Sequence, residues 1–68
     1  MTVISKVKQT LITIKSTQGT IREYSIHERN SEAQKAYKEA LEVTSKVIND
    51  LEKRVEAMEF EEPQYKEN

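Results

Sequence analysis

Cysteine and tryptophan are absent from this chain, glycine, proline and histidine occur once each, and no apolar run approaches the roughly 20 residues of a membrane-spanning helix. Each shortage excludes something. Without cysteine there is neither a disulfide framework nor thiolate chemistry. A lone His27 cannot supply the four Cys or His ligands that a structural zinc site recruits, so no metal or other cofactor is expected. One glycine leaves no Gly-rich loop to cradle a phosphate, and no Ser/His/Asp set has local support, so no catalytic residue is assigned and the chain reads as a non-enzyme. The N-terminus lacks the apolar block of a secretory signal, which points to an intracellular, cytoplasmic protein.

What is present is a chain of 68 residues, 35% hydrophobic and 34% charged. A domain of this size buries only about 60% of the surface that its unfolded chain exposes. Disulfides and metals being excluded, oligomerisation is the remaining reinforcement for so thin a core. The formal net charge of −1 argues against generic nucleic-acid affinity, which needs Lys and Arg to neutralise phosphates. The charge is unevenly spread, with five Lys/Arg and three Asp/Glu in residues 1–34 and six and nine in residues 35–68. Such polarity suits segments or subunits that pair in opposite senses.

In the first half, Ile4, Val7, Leu11, Ile14 and Ile21 keep the three-and-four spacing of a helix stripe, with Gln18 at the position due for another apolar residue. The competing reading is a β-hairpin turning at Gln18-Gly19, since Leu11 to Ile14 and Thr20 to Ile26 are rich in β-branched residues. In the second half no Gly or Pro interrupts Ser31 to Phe60, and Ala33, Ala36, Tyr37, Ala40, Val47, Leu51, Val55 and Met58 lie along one side. Ser31 with Gln34 three residues later has capping-box spacing, and Asn30 is the alternative cap. Glu42 with Lys46, and Asp50 with Arg54, put acid before base at i,i+4. Pro63 disfavours helical geometry at Glu62 and opens an extended tail.

These signals predict an all-α fold, an antiparallel two-helix hairpin over residues 1–62, with a helix at about 3–28, a turn at about 29–31, a helix at about 32–61 and a tail at 63–68. A turn between Asn30 and Ser31 brings together residues whose numbers add to about 61 or 62. That pairs Ile4 with Met58, Val7 with Val55, Leu11 with Leu51, Ile14 with Val47, Ile21 with Ala40 and Tyr24 with Tyr37. The first five pairs are the expected hairpin and dimer core. Two helices cover only one side of each other, so two hairpins are expected to complete a four-helix bundle as a homodimer.

Several features carry two readings each. Gln18 and Thr44 share a layer, either as a buried polar pair that fixes register or as two solvated side chains. Gly19 either allows close helix approach or kinks the helix. Tyr24 and Tyr37 stand among small residues and border either a groove for a small ligand or ordinary packing, and no substrate is identified. Lys6, Lys8, Lys15 and Arg22 either meet an anionic membrane or nucleic acid, or are simply solvated, and no interleaved aromatic supports nucleic-acid binding. His27 beside Glu23 lacks the Glu-x-x-His spacing of di-metal bundles. Phe60, Pro63, Gln64 and Tyr65 give the C-terminus apolar surface for docking, against the frayed end that position alone suggests.

Val7-Lys8-Gln9-Thr10-Leu11, Asn49-Asp50-Leu51-Glu52-Lys53-Arg54-Val55 and Glu61-Glu62-Pro63-Gln64-Tyr65-Lys66 resemble the short proteins of domain-of-unknown-function family 1657, from endospore-forming Bacillus-type bacteria. The chain departs from that pattern at Glu67-Asn68, where Gly and an aromatic are expected, and at Gly19, where a helix former is usual. The resemblance implies an accessory role in the spore, beside a spore-membrane protein, with location in the cytoplasm, within the spore or peripheral to a membrane. It carries over no catalytic or binding residue.

Overall fold

The structure, a computed structural model, describes residues 3–61. Two helices, α1 (Val3–His27) and α2 (Ser31–Glu61), run antiparallel and are joined by residues 28–30. No strand occurs among the described residues: α1 passes unbroken through Gln18-Gly19, and Gly19 does not adopt positive φ. The β-hairpin reading fails because the residues on one face of α1 recur with helical spacing, and strand pairing would turn half of them away from the core.

The packed seam is a heptad pattern, with positions written a to g. On α1 and the residue after it, positions a (Ile4, Leu11, Gln18, Ser25) and d (Val7, Ile14, Ile21, Glu28) are all buried or half-buried. On α2 the same holds for a (Gln34, Leu41, Ile48, Val55) and d (Tyr37, Thr44, Leu51, Met58). Two hydrogen bonds within the hairpin pin the register: Gln18 Nε2 donates to Thr44 Oγ1 at 2.9 Å, and Gln34 Nε2 donates to the Glu28 carbonyl at 2.7 Å. In that register Ile4, Val7 and Leu11 lie opposite Met58, Val55 and Leu51. Ile14 lies opposite Ile48 rather than Val47, and Ile21 opposite Leu41 rather than Ala40. Ile48 is 8% exposed and Val47 39%, while Ala40 sits half-buried at the seam's edge. A shift of one residue rotates a helical side chain by about 100°, which is enough to move it off the seam.

The turn is capped by Asn30, not Ser31. Asn30 Oδ1 accepts from the Ala33 N–H at 3.0 Å, and its carbonyl accepts the Gln34 N–H at 2.9 Å, so Ser31 is already the first helical residue. Asn is at least as good a cap as Ser, and this one contributes about 1 kcal/mol. The Asn30 N–H in turn donates to Glu28 Oε1 at 3.0 Å. Gln34 therefore spends its side chain on the end of α1 instead of closing a capping box. The turn lies at 28–30, one residue earlier than the spacing suggested.

The molecule is a flat rod, 48 × 17 × 13 Å, one layer of two helices thick. Among the described residues the buried hydrophobic side chains are few: Ile4, at 1% exposure, with Ile48 and Val55.

Candidate interaction surface

Gln18 is the one buried polar side chain among the described residues. Its Nε2 lies 3.2 Å from the Leu41 carbonyl, 2.9 Å from Thr44 Oγ1 and 2.8 Å from Ser45 Oγ. A carbonyl can only accept, so the atom facing Leu41 has to be the nitrogen. Thr44 donates its own proton to the Ala40 carbonyl at 2.8 Å, which leaves its oxygen free to accept. Among the described residues no buried side-chain N or O lacks a partner. The Gln18–Thr44 layer is therefore a satisfied polar layer, in the middle of an otherwise mostly apolar seam.

The two flanks of the hairpin differ in chemistry. On one, the e positions carry charge. Lys8 Nζ meets Glu59 Oε2 at 3.0 Å and Lys15 Nζ meets Glu52 Oε2 at 3.1 Å, with Arg22 and Arg29 continuing the basic row toward the turn. The first pair is the more enclosed, and each contributes about 0.2–1 kcal/mol. Both join the two helices, whereas the expected Glu42–Lys46 and Asp50–Arg54 pairs do not close, because a flexible exposed pair gains little by holding one geometry. Two of the four basic residues considered for anionic partners, Lys8 and Lys15, are thus engaged by carboxylates of α2.

The opposite flank, formed by the g and c positions of both helices, has no charge over its central stretch. On α1 it presents Thr10, Thr13, Thr17 and Thr20. Three of these hydroxyls are turned onto their own helix, Thr10 to the Lys6 carbonyl at 2.9 Å, Thr13 to that of Gln9 at 3.1 Å and Thr20 to that of Ser16 at 3.4 Å. On α2 it presents Ala33, Ala36, Ala40, Val43 and Val47, with Val43 59% exposed.

The residues singled out from the sequence fall in different places. Tyr24 and Tyr37 meet near the turn, their ring centroids 6.2 Å apart and tilted by 43°, with Tyr24 largely exposed. Phe60 stands in the last turn of α2 with 87% of its surface in solvent. Pro63, Gln64 and Tyr65 lie outside the described residues. Gly19 is exposed and a Cβ built on it would meet nothing within 4 Å, so close helix approach does not require it. His27 is exposed at the end of α1, and no group of three His, Asp or Glu side chains able to hold a metal occurs among the described residues. No described helix is long and apolar enough to cross a membrane. The seam residues of α2 that sequence reasoning missed are Gln34, Leu41 and Ile48. A strict heptad count along α2 would have found all three.

Comparison with curated proteins and with solved structures returns no match for this chain. Comparison with protein families does: a family described as "Protein of unknown function (DUF1657)" matches residues 7–55, nearly the whole of the hairpin seam, and the chain belongs to that family.

Proposed function

We propose that this protein is a non-enzymatic helical interaction module that works as a homodimer, two hairpins joining into one four-helix bundle. The supporting observation is the imbalance of its apolar surface. Ile4, Ile48 and Val55 are covered, while Val3, Ile12, Tyr24, Ile26, Val43, Val47 and Phe60 remain in solvent and most seam residues are only half-buried. A rod one layer thick cannot cover more, and a second layer is the economical way to do so.

The setting we propose, an accessory role in the spore beside a spore-membrane protein, rests on the family resemblance and not on the geometry. Sedimentation equilibrium of the full chain over a wide concentration range tests the assembly. The expected result is a mass that doubles from 7.9 kDa as concentration rises. A species that stays at 7.9 kDa throughout and still melts cooperatively would overturn the reading.

A further inference from the structure

We infer that the second copy docks on the uncharged flank of α2, antiparallel, in a register that sets Val43 and Val47 against the second copy's Ala40 and Ala36 and is selected by Glu39 and Lys46. This deepens the proposed assembly by naming its surface, and it rests on that reading.

The argument begins with angles. On α2 the g and c positions sit about 100° around the helix from the a/d seam. That is close to the quarter-turn separating the two neighbours of a helix in a four-helix bundle. Both helices of the hairpin turn this kind of face to the same side, so a second hairpin can lie flat across them. The centre of the face on α2 is apolar and exposed, at Val43 and Val47, and is flanked toward the turn by Ala36 and Ala40.

Charge then selects the register. The f positions bordering this face are Glu32, Glu39, Lys46 and Lys53, all exposed, two acids followed by two bases at heptad spacing. Laid antiparallel with Val43 opposite the second copy's Ala40 and Val47 opposite its Ala36, they bring Glu39 beside Lys46 and Glu32 beside Lys53, each twice by symmetry. Each valine then faces an alanine, which leaves room for it, and Asp50 falls opposite Ala33. Sliding by one heptad in one direction sets Glu39 against Glu39, and in the other sets Lys46 against Lys46. Each slipped alignment keeps one kind of opposite-charge pair, Glu32 with Lys46 or Glu39 with Lys53, but adds a like-charge pair at its centre, whereas the unslipped one has opposite charges throughout, which is how a flat apolar face is given a single register. On the other flank the e-position carboxylates Glu52 and Glu59 are already held by Lys15 and Lys8 of the same chain.

The test uses the full chain and two exposed substitutions, Glu39→Lys and Lys46→Glu. Each alone places like charges together twice in the homodimer, and its dissociation constant by sedimentation equilibrium is expected to rise on the order of tenfold at low salt. An equimolar mixture of the two variants restores opposite charges as a heterodimer, and its association should return to that of the unmodified chain. Because cysteine is absent, Val43→Cys mixed with Ala40→Cys should also give a disulfide-linked heterodimer faster than either variant alone links to itself. If the unmodified chain dimerises but the charge variants associate as it does and mixing changes nothing, this face is the wrong one while the assembly stands. If the unmodified chain never dimerises, both fall.

Discussion

Replacing Gly19 with Ala should stabilise the protein, and the expected size follows from what surrounds the site. Gly19 lies mid-helix, is exposed, has no positive φ, and a Cβ there would meet nothing within 4 Å. The substitution therefore neither makes a contact nor creates strain. What it changes is the freedom of the unfolded chain and the helical preference of one position, worth about 0.8–1 kcal/mol. With an unfolding entropy of about 2.1 cal/mol/K per residue, a chain of this length should gain about 6–7 °C in melting temperature. If two chains unfold together, energy and entropy both double and the shift is unchanged, provided concentrations are matched. Circular dichroism at 222 nm during heating is the assay, with urea unfolding as a second measure of the same gain. An unchanged or lowered midpoint would refute the reasoning, since it would mean that the missing side chain is put to use. A lowered midpoint with loss of the dimer would move the interface to the charged flank, where Gly19 sits.

Three further outcomes are expected. Asn30→Ala should cost about 1 kcal/mol by urea unfolding, and Ser31→Ala much less, because Asn30 supplies the cap. Ile4→Ala should cost about 2–5 kcal/mol, since this is the most enclosed side chain described, and loss of the cooperative melt at room temperature would accord with it. Replacing both Gln18 and Thr44 with Leu should raise the midpoint, because an apolar layer replaces a satisfied polar one. The same change should broaden amide NMR signals along the seam as slipped alignments become accessible, and an unchanged midpoint with sharp signals would count against the layer's role in register.

The helical hairpin was legible because spacing alone specified it. Ile4, Val7, Leu11 and Ile14 keep the helical spacing that favours α1 over the β-hairpin alternative, and the absence of Gly and Pro from Ser31 to Phe60 marks α2. What spacing left open were the choices that differ by one residue. Val47 and Ile48 are both β-branched and apolar, so composition could not assign one to the seam; only the unbroken heptad from Gln34 to Met58 does so, and it includes two polar positions. Asn30 and Ser31 are equivalent as caps from sequence, and the tie was broken by Gln34 reaching back to Glu28. The polar layer was visible as a break in the apolar stripe, but whether it faced inward depended on Ser45 and the Leu41 carbonyl lying within reach of Gln18.

The rod is fastened by different means at its ends and at its waist. Near the chain termini, Ile4 is sealed and Lys8 bonds Glu59; at the other end, Glu28, Asn30 and Gln34 are knotted together. Between them sits an amide held by hydroxyls, a layer that water can replace without leaving a polar group stranded. Thermal opening should therefore start as a bubble around Gln18 and Thr44 rather than as fraying from the tips. Amide protons in that middle turn of each helix should exchange with solvent sooner than those beside Val55, even though they lie farther from either end of the chain.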